Sequence, residues 1–242
     1  MKKLFLLAAL CLVIHHANSQ VIISLLLGDK LNSGKIEFGL DGGYNNSTLQ
    51  GLDHAKGLGS FNLGFYFDFK TKHPAWQFNT GVIVKSSMGA GNLPVYQLGD
   101  AALDSAFKGG KVDRRINYFN VPVMMKYTFK SNIYAKAGIQ LGLRNKAFDE
   151  FSNSVKDKDD LHLKIKTKDK YHSLDAGLAF GLGYRLMGGN GMNLGVQYYL
   201  GLVDVVKDDT SPKQFNRVFY ATVGIPIGKA KAKKKMENAT AP

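Results

Sequence analysis

The chain has 242 residues, 45% of them hydrophobic, and a formal net charge of +13. That length is enough for one domain with a sizeable core. Its single cysteine, Cys11, lies in an apolar N-terminal run, so the sequence excludes disulfides, thiolate catalysis and cysteine-bound zinc from the mature chain.

The N-terminus has the layout of a secretory signal peptide, which we assign to residues 1–19. Lys2 and Lys3 form a basic start, an apolar run extends from Leu4 to Ile14, and small residues precede the expected cleavage after Ser19. No later run approaches the roughly 18 apolar residues that suggest a membrane-spanning helix. We therefore expect an exported chain, in which any membrane crossing is made by strands.

Beyond the signal, apolar and polar residues alternate in eight segments, the pattern of strands with two different faces. In chain order the segments cover residues 35–44, 60–69, 75–85, 117–129, 131–145, 172–186, 192–202 and 217–227. Many exceed the usual five or six residues of a soluble strand and suit the roughly 9–11 residues of a tilted bilayer crossing.

The connections between these segments alternate in length. Short connections cover residues 70–74, 130–131 and 187–191, whereas long ones cover about 45–59, 89–113, 147–171 and 204–215. Short turns at one end and long loops at the other are typical of outer-membrane barrels, in which the short turns face the periplasm. The pattern predicts an all-β fold, an eight-stranded antiparallel transmembrane β-barrel with long extracellular loops.

The two faces could point either way, because a soluble barrel of the lipocalin type would place its apolar face inside. Roughly forty mostly bulky apolar side chains lie on that face, too many for the interior of eight strands. Glycines are frequent on the polar face, where they suit a crowded lumen: Gly138, Gly142, Gly177, Gly181, Gly183, Gly195 and Gly201. We therefore expect the apolar face, including Leu178 and Phe180, to contact lipid.

The strand over 117–129 contains Pro122 near its middle. Proline removes a ladder hydrogen bond, and a closed barrel offers no free edge on which to place it. We expect a β-bulge at Pro122.

Several segments resemble the PorT-like outer-membrane β-barrel family of Bacteroidota. They are NYFNVPVMMKY followed by the turn KS and IYAKAGIQLGL, then GLAFGLGYRL, VQYYLGLVDV and the early ISLLLGDKLNSGKIEFG. The resemblance covers nearly all of residues 22–228. It implies an eight-stranded barrel in the outer membrane, not an enzyme, and the family's namesake is linked to protein secretion. The lysine-rich C-terminus departs from a barrel that ends on its last strand.

The polar face carries eight charged residues that we expect inside the barrel: Glu37, Asp41, Asp68, Lys85, Lys126, Lys136, Asp175 and Arg185. Arg144 lies near one rim. Buried charges must be paired, and both signs are present in similar numbers, so we expect a salt-bridged plug. A polar conduit is the alternative.

No motif indicates catalysis or a cofactor. Residues 157–160 and 208–209 are acidic but lack the glycine and spacing of a calcium loop. His172, Ser173 and Asp175 are close in sequence, but alternating side chains on one strand cannot converge into a catalytic group. We predict no enzyme activity, no cofactor and no metal.

Residues 154–172 are expected to project beyond the membrane, and the alternation of Leu161, Leu163 and Ile165 indicates that the sixth strand begins there. Residues 20–33 are expected to lie at the periplasmic mouth or in the lumen, before a barrel over 34–228. A basic periplasmic tail over 229–242 carries five lysines: Lys229, Lys231, Lys233, Lys234 and Lys235. It is either a weak tether to anionic lipid or cell-wall polymer or a tail without a partner.

These observations predict a non-catalytic protein of the cell outer membrane, surrounded by lipid, that is structural or binds a protein partner, in protein secretion or envelope organisation. An exported chain rarely meets nucleic acid, so its basic charge does not indicate nucleic-acid binding. A narrow small-solute channel is the alternative function, and a lipid-modifying enzyme at the barrel rim is a less favoured one.

Overall fold

A computed structural model describes residues 32–33, 35–154, 159–189, 191–209 and 212–227. The signal peptide, most of the segment 20–33 and the basic tail with its five lysines lie outside the described residues. No helix in the described ranges is both long and apolar enough to cross a membrane.

The described residues form nine strands. They are β1 (Ile36–Gln50), β2 (Leu58–Lys70), β3 (Trp76–Leu93), β4 (Lys111–Thr128), β5 (Ile133–Ser154), β6 (Asp159–Lys166), β7 (Leu174–Arg185), β8 (Asn193–Gly201) and β9 (Phe215–Pro226). Helical structure within the described residues is limited to α1 (Ala101–Ala106), a 3₁₀ turn (Lys168–Lys170) and a tight turn (Leu186–Gly189).

Eight of these strands close an antiparallel barrel, as the alternating pattern predicted. Neighbours in sequence pair with each other around the ring, and β1 closes it by pairing with β9 from Gly39↔Pro226 to Gln50↔Phe215. Short turns connect the strands at one end and long loops at the other.

The sixth barrel strand is divided in two. β6 pairs with the outer half of β5 and β7 with its inner half, on the same side of β5 and in the same direction. The 3₁₀ turn and Tyr171, which bridges to Val206, interrupt the ladder between them. The sixth strand therefore begins beyond the apolar band, as expected, but it is not continuous.

The apolar face of the barrel points outward. Leu178, Phe180 and Leu182 on β7 are 36%, 49% and 59% exposed, whereas Ala179 between them is fully buried. The same alternation exposes Ile139, Leu141 and Leu143 on β5, Leu194, Val196 and Tyr198 on β8, and Phe219, Val223 and Ile225 on β9. The prediction that Leu178 and Phe180 face away from the lumen is confirmed.

The expectation that Lys85 faces the lumen is wrong. In the β3–β4 ladder Ile83 pairs with Asn120 but Ser86 pairs with Tyr118, so β3 contains one extra residue at this point. A bulge of one residue moves all following side chains to the opposite face. Lys85 is exposed, and its Nζ lies 5.7 Å from the ring centre of Phe61 on the outer surface.

The bulge expected at Pro122 is instead on the opposite strand. The register runs through Pro122 without a shift, because Thr80 pairs with Val123 and Ile83 with Asn120. The Thr80 hydroxyl donates to the Pro122 carbonyl at 2.8 Å, which adds a hydrogen bond where proline has no N–H to offer.

The end of the N-terminal segment lies at the closing seam of the barrel, at the short-turn end. Asn32 is buried, its Oδ1 accepts from the Phe38 N–H at 2.9 Å, and its side-chain amide donates to the Ile227 carbonyl. Ile227 N–H in turn donates to the Phe38 carbonyl at 3.0 Å. Asn32 therefore satisfies backbone groups where the β1–β9 ladder ends.

Long strands carry the barrel well beyond its apolar band at the long-loop end. β5 has 22 residues, about twice what a tilted bilayer crossing needs. We call this part the crown and define it as the described residues of 45–59, 86–117, 144–173 and 202–215. Its interior contains a cluster of buried apolar side chains that includes Leu49, Met88, Phe107, Val112, Ile116, Phe151 and Val205.

Candidate functional site: the filled lumen and the crown

The lumen near the short turns is closed by an ion pair between β1 and β7. Arg185 Nη2 lies 2.5 Å from both carboxylate oxygens of Glu37. Tyr66 donates to Glu37 at 3.2 Å, and Asn193 donates to the Tyr66 hydroxyl at 3.1 Å. The four side chains come from β1, β2, β7 and β8, so they cross-link opposite sides of the barrel.

A second ion pair lies beside the first. Lys126 Nζ is 2.7 Å from Asp68 Oδ2, and the side chains of both residues are at most 4% exposed. Asn79 donates to the other carboxylate oxygen at 2.6 Å, and Lys126 lies 4.5 Å above the Tyr134 ring. A buried carboxylate with a cation and an amide donor has its main acceptor sites satisfied.

Asp41 and Lys136 complete the charged layer. Both line a cavity of about 40 Å³, together with Tyr66, Lys126 and Tyr134. A cavity of this size has room for little more than ordered water. The layer contains three carboxylates and three cations, the balance that a plug requires: Glu37, Asp41, Asp68, Lys126, Lys136 and Arg185.

Asp175 lies apart from these six residues, in a middle layer of tyrosines and amides. Asn216 donates to Asp175 at 2.8 Å, and Asn216 lies 3.4 Å from the Tyr118 hydroxyl. Tyr118, Tyr199 and Tyr220 are each at most 1% exposed, so this layer fills the lumen. Gln197 donates to Gln140 at 3.2 Å in the same layer.

The crown contains an ionic site that the sequence reasoning missed. Arg114 donates to both carboxylate oxygens of Asp149, at 3.2 and 3.1 Å, and Tyr96 donates to the same carboxylate at 3.1 Å. Burial, together with the negative charge of Asp149, raises the pKa of Tyr96 to about 12. The hydroxyl therefore stays protonated and continues to donate at physiological pH.

A one-residue bulge explains why this site was hard to find. Asn117 pairs with Lys146 and Tyr118 with Arg144, so β5 has an extra residue at Asn145. Arg144 and Asp149 then both face inward although they differ in parity. Continuing the β4 alternation backward from Tyr118 to Arg114 was the only signal in the sequence.

The outer face of the crown is charged and partly exposed. Arg115 lies 2.8 Å and Lys164 3.2 Å from the carboxylate of Glu150, and Lys164 lies 3.4 Å above the Phe148 ring. Lys146 and Lys166 are exposed on the same face. In the described part of the chain β6 pairs with β5 alone, so its second edge has no ladder partner there.

The polar residues near the start of β7 separate from one another. Ser173 lies 3.5 Å from Arg144 Nη2, the His172 carbonyl accepts from Arg144 Nε at 2.9 Å, and Asp175 bonds Asn216 in the lumen. Among the described residues, no group of three or more histidine, cysteine or acidic side chains is placed to hold a metal ion.

A closed ring of eight strands, apolar outside and polar inside, is the architecture of a transmembrane barrel. The sequence pattern of the family described as "Outer membrane protein beta-barrel domain" matches residues 19–207. The chain belongs to this family. It is a protein of the outer membrane, whose lipid surrounds the apolar band. In barrels of this kind the short turns face the periplasm and the long loops face the outside of the cell.

Solved structures of outer-membrane barrels are similar in fold. Neisserial surface protein A is 11% identical with a TM-score of 0.44, covering 78% of this chain and 96% of its own. The attachment invasion locus protein Ail of Yersinia pestis, in complex with the heparin analogue sucrose octasulfate, is 10% identical with a TM-score of 0.40, covering 80% and 99%. OprG of Pseudomonas aeruginosa is 14% identical with a TM-score of 0.35, covering 81% and 97%. Among curated proteins, none matches the chain.

Proposed function

We propose that this protein is a sealed, non-catalytic outer-membrane barrel that binds a protein partner through its crown. The observation that carries the proposal is the filling of the lumen over its whole length. Charged, polar and apolar layers follow one another from the short turns to the crown. Long extracellular strands above a closed pore provide an exposed surface for a partner and no path for a solute.

The lumen supports sealing over conduction because its side chains are mutually bonded. In the lowest layer one ion pair joins β1 to β7 across the lumen and another joins β2 to β4, and three buried tyrosines occupy the next layer. Opening a path for solute would require breaking buried ion pairs, each of which is costly to separate. The small-solute channel is therefore the weaker alternative.

The crown offers a defined binding surface in the form of the free edge of β6. An exposed strand edge accepts a strand from a partner through main-chain hydrogen bonds. The lysines at 164 and 166 project from the exposed face of β6, and lysine on an edge strand disfavours uncontrolled self-pairing. A partner strand with acidic side chains would suit this edge.

The subfamily and the process that the partner serves are proposed from the sequence resemblance. We propose that the chain is PorT-like and that its partner belongs to protein secretion or envelope organisation. The absence of a catalytic role is part of the same proposal. It is supported by the separation of Ser173 and Asp175, whose side chains bond to Arg144 and Asn216.

Conductance tests the sealed lumen. The full chain, reconstituted into planar bilayers at neutral pH, is expected to show no discrete conductance steps, because an eight-stranded interior filled by side chains leaves no continuous water path. A pore-forming peptide added to the same bilayer verifies the recording. Regular steps from the wild-type protein would overturn the sealed barrel and favour the channel.

Site-specific photo-crosslinking in cells tests the partner. A photoreactive residue in place of Lys164 or Lys146 is expected to give a protein adduct of one constant mass, whereas one in place of Leu178, which faces lipid, should give none. The adduct should also disappear when the crown core is disrupted by Phe151→Ala. Adducts of equal yield from Leu178, or none from the crown, would contradict binding through the crown.

A further inference from the structure

The periplasmic rim of the barrel is basic on one side. Lys35, Lys70, Lys72 and Lys130 are all exposed there, and the three short turns contain no acidic residue. The nearest carboxylates, Glu37 and Asp68, point into the lumen and are already paired. None of the four lysines forms an ion pair with another described residue.

Hydrogen bonds bring these lysines to adjacent positions on the rim. Lys70 N–H donates to the Lys35 carbonyl at 2.8 Å, and Thr128 N–H donates to the Ala75 carbonyl at 2.9 Å, which joins the β2–β3 turn to the end of β4. Directly above them lie three aromatic rings. Trp76 and Tyr127 are 5.0 Å apart, and Tyr127 and Phe129 are 4.8 Å apart, the composition of a membrane interface.

An apolar groove begins at these aromatic rings and extends across β5, β7 and β8 as far as Phe219 on β9. It has a volume of about 790 Å³. Where it crosses β5, its floor is Ala135 and Ala137, and its walls there are taller side chains of the neighbouring strands, in the register Tyr127–Ala135–Leu182 and Met125–Ala137–Phe180. The wall strands are two strand spacings apart, about 9.6 Å, which is wide enough for one acyl chain.

We propose that this surface binds an anionic phospholipid of the periplasmic leaflet. The phosphate lies on Lys72 and Lys130, with Lys70 and Lys35 beside them, and one acyl chain lies in the groove over Ala135 and Ala137. The occupant follows from charge and position together. A groove within the apolar band is accessible only to lipid, and unpaired cations at its periplasmic end favour a headgroup with net negative charge.

The single tryptophan of the chain provides the measurement. Trp76 lines the groove and is 41% exposed, so a brominated acyl chain bound there quenches its fluorescence. The full chain is reconstituted in vesicles containing either brominated phosphatidylglycerol or brominated phosphatidylcholine. We expect phosphatidylglycerol to bind about fivefold or more tightly at low salt, the effect of one to two lysines at a charged surface.

Variants separate this site from general electrostatic attraction. The measured quantity is the ratio of the affinity for phosphatidylglycerol to that for phosphatidylcholine. We expect this ratio to fall to near one in the rim variant Lys70→Gln/Lys72→Gln/Lys130→Gln. It should be unchanged in the crown variant Lys146→Gln/Lys164→Gln/Lys166→Gln. The tail lysines are retained in every variant, so they cannot account for a difference. Ala137→Phe fills the groove and should weaken quenching by both lipids. Added glycerol phosphate, which lacks an acyl chain, should leave the quenching of Trp76 by brominated phosphatidylglycerol unchanged.

Two results would overturn the proposal. One is equal quenching by the two lipids in the wild-type protein. The other is a preference that survives the rim substitutions, which would assign it to the tail. Heat-modifiable migration on gels shows that each variant is folded, so a lost preference cannot be attributed to unfolding.

Discussion

Lys126→Met is expected to destabilise the folded barrel by about 3–5 kcal/mol, because it leaves the buried Asp68 carboxylate without its cation. Both side chains lie in the lumen and are at most 4% exposed. Methionine approximates the length of the lysine stem, so the loss is electrostatic rather than one of packing. Urea unfolding in lipid vesicles, followed by tryptophan fluorescence, gives the change in the free energy of unfolding.

A double variant separates lost charge pairing from other damage. Asp68→Asn/Lys126→Met removes both charges and keeps an acceptor for the Asn79 amide, which lies 2.6 Å from Asp68. We expect it to recover most of the stability lost in Lys126→Met. Lys146→Met, on the exposed outer face of the crown, should change the free energy of unfolding by less than about 0.5 kcal/mol. If Lys126→Met were as stable as the wild type, the Asp68–Lys126 ion pair would not stabilise the folded barrel.

Phe151→Ala is expected to lower the free energy of unfolding of the crown by about 3–5 kcal/mol and to leave the barrel folded. Phe151 is fully buried, with the rings of Tyr96 and Phe107 at 5.0 and 5.9 Å. These side chains lie beyond the apolar band, where water rather than lipid surrounds the strands and can enter a disrupted core. Protease added outside intact cells should cleave the crown of the variant, while the barrel remains heat-modifiable on gels.

Phe148→Ala is the matched control, because Phe148 lies on the same strand and faces outward. Among the ring–ring and cation–ring contacts of the described residues, Phe148 takes part in one, with Nζ of the exposed Lys164 3.4 Å from its ring centre. Its loss should cost less than about 1 kcal/mol and leave the crown resistant to protease. If Phe151→Ala also unfolded the barrel, crown and barrel would form one cooperative unit.

Much of the barrel could be predicted from local pattern alone. In a strand, side chains alternate between faces, so the runs around Leu178 and Phe180 identified the lipid-facing surface without knowledge of their neighbours. The count of alternating segments predicted the number of strands, and the alternation of short and long connections predicted which barrel end carries the turns and which the loops. These features depend only on residues close in sequence, and the closed ring of eight strands agrees with them.

Prediction from local alternation failed where one strand carries an extra residue relative to the strand it pairs with. Lys85 was expected inside because it continues the alternation of β3, yet the extra residue opposite Asn120 and Tyr118 turns it outward. A bulge is a relation between two strands, and neither sequence shows it alone. The same reason hid the pairing of Arg114 with Asp149, which requires the shift at Asn145.

The sequence by itself determined that the chain forms a membrane-crossing barrel with charged residues inside, because hydrophobic periodicity is imposed residue by residue by lipid and lumen. Only the tertiary structure decided which charges meet. Glu37 lies 148 residues from Arg185, and Asp68 lies 58 from Lys126, separations that only closure of the ring brings to hydrogen-bonding distance. The crown, the rim and the groove likewise arise from strands that are neighbours in space, since register, bulges and ring closure are properties of the whole sheet.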